Sequence, residues 1–207
     1  MLHTVPEHST TLMRAVSGGR AVQHDGYLFF TGDDWLIGIG YPLTGAQNAE
    51  RFWEALQFVA RRGNIEDCWA IASVLPEFLR PHIEERDVYY VLRSDATVPP
   101  RLRGPVRRAE ACLRIDETRE FSAEHRRLWA EFVRRRPLKA QARELFGRTA
   151  VMLDAPDTDI RLLNAWDSQG HLAACCVMDY APGTFCSYVI GAHSRCHYGH
   201  ASVNYGS

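Results

Sequence analysis

The chain reads DIRLLNAWD at residues 159–167, HLAACCVMDY at residues 171–180 and TFCSYVIG at residues 184–191. These three segments are rich in β-branched, aromatic and cysteine side chains, which favour strands. The triplets SQG (168–170) and APG (181–183) separate them and are typical of turns. The pattern predicts a meander of three strands, with only residues 192–207 left after it to cover its apolar face.

The composition is that of a packed protein. At 207 residues the chain is long enough for one large or two small domains, and its 46% apolar content supports a core. Basic (24) and acidic (25) residues nearly balance, so bulk attraction to nucleic acid is not expected. The basic residues are strongly biased toward arginine, whose fork suits phosphate and carboxylate, although basic blocks are also common on solvated surfaces.

The cellular compartment is predicted from absent signals. The first residues lack the apolar core of a signal peptide, and no apolar run approaches the roughly 20 residues of a membrane span. Six cysteines are scattered without a C-x-x-C motif, as expected of small buried side chains. We therefore expect a cytoplasmic, reduced protein without a membrane span.

Periodicity divides the chain into two parts. After a flexible segment (1–25), the first part (26–94) is predicted to contain a hairpin (26–31 and 35–40), a helix (46–62), a buried strand (67–74), a short helix (76–86) and a strand (87–92). A Pro-containing connector opens the second part (95–207), which is predicted to contain helices at 101–109, 122–136 and 138–146, a strand at 111–115 and then the meander. Strands mixed with helices predict an α/β (α+β) fold.

Several phrases resemble the GNAT-like acyltransferases. They are WLIGIGYP (35–42), the Arg-rich LRGPVRRA (102–109) and the strands within residues 160–191. The sequence is most similar to the branch of lysylphosphatidylglycerol synthase C-terminal domains and Fem-type aminoacyltransferases, which carry two such modules in tandem. The resemblance implies a GNAT-like mixed sheet flanked by helices, with the first module complete and the second partial.

The resemblance also implies an activity. Members transfer an acyl group from acyl-CoA or aminoacyl-tRNA to an amine or lipid acceptor, and no metal is expected. In the family, a loop written R/Q-x-x-G-x-G/A follows the last meander strand, and its backbone binds the donor's pyrophosphate. Here Arg195, Gly199 and Ala201 occupy the matching place, but Cys196 stands where Arg or Gln is expected and only six residues follow. The alternative is therefore a truncated, inactive member that acts as a binding module.

Candidate site residues follow from this hypothesis. Asp179 and Tyr180, at the end of the middle strand, are the candidate catalytic pair, because a carboxylate or phenol there could relay a proton during acyl transfer. Polar residues also end strands for solubility alone. Phosphate contacts with substrate are expected from the basic residues of the 102–109 phrase and its start: Arg101, Arg103, Arg107 and Arg108.

Several glycines, histidines and cysteines lie outside the candidate acyl-transfer site. Gly38 and Gly40 predict a close backbone approach or a bulge, and His125 and His171 are expected at the surface. A zinc site is a weaker third hypothesis, resting on a C-terminal cluster: His193, Cys196, His197 and His200. The exposed meander predicts self-association, and tRNA is a candidate partner.

Overall fold

The computed structural model describes residues 4–183 and 185–195. Its fold is mixed α/β, as predicted, with two four-stranded sheets flanked by helices. The chain forms two compact units, Met1–Val91 and Leu92–Ser207. No helix in the described ranges is both long enough and apolar enough to cross a membrane.

The first unit is built on a sheet with the strand order β1-β2-β3-β4. Its elements are α1 (Thr10–Ser17), β1 (Arg20–His24), β2 (Tyr27–Thr31), β3 (Trp35–Ile39), α2 (Ala49–Gly63) and β4 (Asp67–Ile71). The first three strands are antiparallel, as expected of short connections, and the predicted hairpin is confirmed as β2 and β3. Strand β4 runs parallel to β3 because α2 provides the crossover between them.

Helix α2 covers one face of this sheet. Phe52, Leu56 and Val59 recur on one side of the helix and are buried in a cluster with Phe29 of β2. The close approach predicted at Gly38 is confirmed, since a Cβ there would lie 2.7 Å from Leu56 Cδ1. Gly40 is equally confined, because a Cβ on it would lie 2.5 Å from the Cβ of Ala72.

Four predictions for this unit were wrong. Residues 1–25 are not a loose segment throughout, because they contain α1 and β1, and Val5 and Leu12 are buried. Strand β4 is short and mostly exposed rather than a buried strand over 67–74, with Trp69 at 49% exposure. The segment 76–86 contains only a 3-10 helix, Glu77–His82, which has Pro81 inside it, and residues 87–92 are not a strand.

The second unit contains an antiparallel sheet with the order β5-β6-β7-β8. Its elements are α3 (Pro100–Cys112), β5 (Arg114–Thr118), α4 (Ala123–Arg135), α5 (Ala140–Asp154), β6 (Ile160–Trp166), β7 (Leu172–Asp179) and β8 (Ser187–His193). The predicted meander is confirmed as β6, β7 and β8, although Thr184 lies outside the described residues.

The meander is covered by helices that precede it in the chain. Helix α4 packs against β7 and β8, and α5 contacts β6. Ile160, Leu162 and Val177 are fully buried, whereas Leu163 and Tyr188 on alternate positions are exposed. The expectation that only residues 192–207 could cover the apolar face was therefore wrong. Helices α4 and α5, which come before the meander in the chain, pack over it.

Candidate functional site

Asp179 ends β7 and is fully buried, with 0% of its surface exposed. Its register partners are Ile160 on β6 and Ser187 on β8. One carboxylate oxygen, Oδ1, accepts a hydrogen bond of 3.1 Å from the backbone N–H of Ala181. The other oxygen, Oδ2, and the Ser187 hydroxyl have no hydrogen-bond partner among the described residues.

Two buried polar groups without hydrogen-bond partners, on neighbouring strands, are unusual in a protein interior. A buried polar atom without a partner costs about 1–3 kcal/mol, so native structures rarely keep one without a role. Residues directly opposite on paired strands have their Cβ atoms about 5 Å apart, and Asp179 and Ser187 are paired in this way. Their free atoms could therefore bind one shared polar group, such as a ligand atom or a proton-carrying water.

Tyr180 follows Asp179 but lies in a different environment. The guanidinium of Arg161 lies 5.1 Å from the centre of its ring. Burial, followed by the nearby Glu117 carboxylate, raises the pKa of the phenol. Arg161 is itself held by Asp159, with Nε to Oδ1 at 2.7 Å. The two predicted catalytic residues are thus adjacent in the chain, with the first in the core and the second in a polar surface cluster.

The predicted phosphate-binding arginines lie on α3. Helix α3 packs through Val106 and the buried Ala109 against the second sheet, and Arg103, Arg107 and Arg108 are exposed. Arg103 and Arg107 are four residues apart and therefore neighbours on the helix surface. Arg103 Nε donates to the carbonyl of Val98 at 3.2 Å. These side chains form a basic surface rather than a closed anion site.

The predicted donor-binding and metal-binding residues fall mostly outside the described residues. Gly199 and Ala201 lie there, as do Cys196, His197 and His200. Arg195 is described, and its backbone N–H donates to Glu131 Oε1 at 3.3 Å.

The described member of the predicted metal cluster is His193. Burial lowers the pKa of its side chain, and its carbonyl accepts a 2.8 Å hydrogen bond from Arg135 Nη2. Within residues 4–183 and 185–195, no group of three or more His, Cys, Asp or Glu side chains is arranged to bind a metal ion.

A second polar constellation begins at the start of α4. Ser122 caps the helix, and His125 occupies the third helical position, where its Nδ1 accepts a 3.1 Å hydrogen bond from the Ser122 backbone N–H. Because Nδ1 accepts this hydrogen bond, it carries no hydrogen, so the other nitrogen, Nε2, carries the ring hydrogen and donates to Asn164 Oδ1 at 3.0 Å. The imidazole is therefore fixed in one neutral tautomer.

Asn164 connects this histidine to a carboxylate. Its amide Nδ2 donates to Asp116 Oδ1 at 3.0 Å, and Trp166 Nε1 donates to the same oxygen at 3.0 Å. Arg114 donates to Asp116 Oδ2 at 2.6 Å. Burial opposes ionisation of Asp116, but these hydrogen bonds outweigh it and lower the pKa of the carboxyl group.

We call Ser122, His125, Asn164 and Asp116 the polar relay. His125 is 1% exposed, so its expected surface position was wrong, whereas His171 is exposed as expected. Burial lowers the pKa of the imidazole, only partly offset by the Asn164 hydrogen bond. The sequence carried one signal for this network, a Ser-x-x-His spacing before an apolar run, which matches the spacing of a capping box.

No family model matches this sequence, and no curated protein matches it.

Proposed function

We propose that this chain is an acyl- or aminoacyl-transferase of the GNAT-like superfamily. The observation that carries the proposal is the order and pairing of elements in the second unit: strand β5, then helices α4 and α5, then the antiparallel strands β6, β7 and β8. This is the arrangement that the resemblance implies for the central strands of a second module. A fold alone does not determine an activity, so the chemical part of the proposal rests on individual residues.

The proposed reaction is direct attack by an acceptor amine on the acyl carbonyl of the donor. The new C–N bond forms as the C–S bond of acyl-CoA, or the C–O bond of aminoacyl-tRNA, breaks. The amine must lose a proton and the leaving thiolate or alkoxide must gain one. The protein contributes positioning of both substrates and these two proton transfers.

Asp179 and Tyr180 are proposed for the proton transfers. The free Oδ2 of Asp179, beside the open Ser187 hydroxyl, supports a role in accepting the amine's proton. A tyrosine phenol carries its proton at neutral pH, and burial and Glu117 raise the pKa of Tyr180 further, so this residue is the member of the pair that could donate to the leaving group.

The donor is proposed to bind through its phosphates. The exposed arginines of α3 (Arg103, Arg107 and Arg108) suit a polyphosphate or a tRNA backbone. Arg195, Gly199 and Ala201 stay as the proposed pyrophosphate loop. Reduced cysteines without a C-x-x-C motif agree with a cytoplasmic location, which is part of the same proposal.

A second candidate function is binding without catalysis. The burial of Asp179 favours it, because a general base must come within hydrogen-bond reach of the proton it removes. In this alternative, the second unit has the fold of the family and binds a partner or an acyl donor without catalysing a reaction.

Donor titration followed by turnover measurements separates the two candidates. Acyl-CoA and aminoacyl-tRNA are titrated in separate arms while tryptophan fluorescence is recorded, and product is then measured with a panel of amine and lipid acceptors. The transferase proposal expects binding and turnover, and Asp179→Asn should lower turnover about 100-fold or more while binding persists.

A matched control is Asp157→Asn, which makes the same chemical change at an exposed loop position and should leave turnover unaltered. Saturable binding without product from any acceptor would favour the binding module. No fluorescence change with either donor at millimolar concentration would contradict the transferase proposal.

A further inference from the structure

Strand β4 leaves one edge of the first sheet without a partner among the described residues. It pairs with β3 on one side, so its outer N–H and C=O groups are available to another strand. Its residues 67–70 are all exposed, including Trp69. An exposed strand edge that carries an aromatic side chain is a ready template for strand addition.

The segment of residues 87–92 (DVYYVL) has the composition of a strand but no strand partner in the described part of the chain. None of its residues makes a backbone–backbone hydrogen bond with other described residues. Tyr90 is 93% exposed, and Val88 and Leu92 are also largely exposed. A segment rich in β-branched and aromatic side chains is stabilised most when it pairs with another strand, because its side chains then pack on a pleated surface.

Within one molecule this segment is anchored through the side chain of Tyr89. The Tyr89 hydroxyl donates to Glu7 Oε2 at 2.9 Å, and its ring meets Tyr41 edge-on. Residues 87–91 of the segment lie in the same unit as β4, yet they are not paired with it as a strand. Within one molecule, residues 87–92 therefore leave the outer edge of β4 unpaired.

Charges around the two strands are complementary in one antiparallel register. When Glu66 is aligned with Arg93, Trp69 comes opposite Tyr90 and Cys68 comes opposite Val91. The alignment joins an acid with a base and two exposed aromatic side chains with each other, and both kinds of cross-strand pair are favourable. Within one molecule Arg93 pairs with the exposed Asp95, a contact that water and salt weaken easily.

We propose that β4 accepts residues 87–92 of a second copy of this chain as an added antiparallel strand. Two copies exchange this segment reciprocally, so the contact is the same on both sides and closes into a dimer. The exchange extends each first sheet to five strands and buries Trp69 against Tyr90 of the partner copy. The surface differs from the meander face that the sequence alone suggested for self-association.

Cross-linking tests the contact directly. In a full-length variant with Cys112, Cys186 and Cys196 replaced by Ser, Val91→Cys is added so that the new thiol lies opposite the native, exposed Cys68. Mild oxidation should give a covalent dimer on a non-reducing gel. Val98→Cys, an exposed position outside the segment, is the matched control and should not give it. A disulfide that joins Cys68 to the introduced thiol only within one chain would overturn the proposal.

Oligomeric state provides the second measurement. Light scattering and sedimentation should show a dimer, and Tyr90→Pro should weaken it about tenfold or more because proline cannot enter the new ladder. The helical circular dichroism signal should be unaltered, since residue 90 lies outside the helices. Arg93→Glu should weaken the dimer about threefold, and adding Glu66→Arg should restore it. A monomer at all concentrations, or a dimer insensitive to all these changes, would refute strand exchange.

Discussion

Asn164 is the central member of the polar relay, and its removal should destabilise the second unit. In Asn164→Ala, the Nε2–H of His125 loses its only described acceptor while it stays buried. Asp116 loses one of three donors but keeps Trp166 and Arg114. The largest single cost is the orphaned imidazole N–H, about 1–3 kcal/mol.

The expected loss in the free energy of unfolding is therefore about 2 kcal/mol. Urea unfolding of the full chain, followed by far-UV circular dichroism and by tryptophan fluorescence, measures it at pH 7.5, where His125 is neutral. The dependence on urea should keep the same slope, because the substitution does not alter the surface exposed on unfolding. Trp166 and Trp129 lie near the relay and report on this unit.

The matched control is Gln169→Ala, which removes an exposed amide side chain from the turn after β6. Its effect should stay within about 0.5 kcal/mol, as for surface substitutions in general. If Asn164→Ala costs no more than Gln169→Ala, the relay does not stabilise the fold, and the hydrogen-bond assignment around His125 is wrong.

Three further predictions concern pH, packing and capping. Burial lowers the pKa of folded His125 below its unfolded value near 6.5. The stability that the neutral imidazole contributes is therefore complete above that pH and is lost as the pH falls toward the folded pKa. In urea unfolding across pH 5–8, His125→Gln should make the free energy of unfolding depend less on pH over this range. Gly38→Ala should destabilise the first unit by about 1–3 kcal/mol, since the new methyl would overlap Leu56. Thermal unfolding measures this effect, and Gly147→Ala, which has open space around its Cβ position, is the control. Arg119→Ala should cost about 1–2 kcal/mol by urea unfolding, because the guanidinium binds the carbonyl groups of Leu153, in the last turn of α5, and Thr158, just after it. An effect as small as that of Arg143→Ala would contradict this.

Strong periodicity allowed the second unit to be anticipated well. The long helix predicted at 122–136 is α4, and Leu128, Trp129 and Phe132 face inward as their spacing indicates. The three strands were evident because turn residues separate compact β-prone segments. What the pattern could not give is which earlier helices fold over these strands, because that depends on contacts between residues far apart in the chain.

The first unit was harder to anticipate because local composition and tertiary environment disagree. Residues 87–92 have the pattern of a strand but pair with no other strand within residues 4–183 and 185–195. Conversely, α1 is only eight residues long, and it is identified by the Ser9 cap and the burial of Leu12.

The candidate site was only partly accessible from sequence. Asp179 could be selected as a strand-end carboxylate, but its complete burial and open oxygen could not be inferred without the register that pairs it with Ser187. His125 was taken for a surface residue because a polar side chain near a helix start is usually solvated. Its burial depends on Asn164, 39 residues later, which no local pattern connects to it.

The cap formed by Arg119 has a consequence for the order of folding. This side chain, just after β5, donates to the carbonyl groups of Leu153 and Thr158, more than thirty residues further along the chain. Helix α5 therefore keeps an unfinished C-terminal end until β5 has been placed beside β6. During synthesis from the ribosome, β5 emerges first and must wait for its partner, so closure of the helix end and closure of the sheet become one cooperative event.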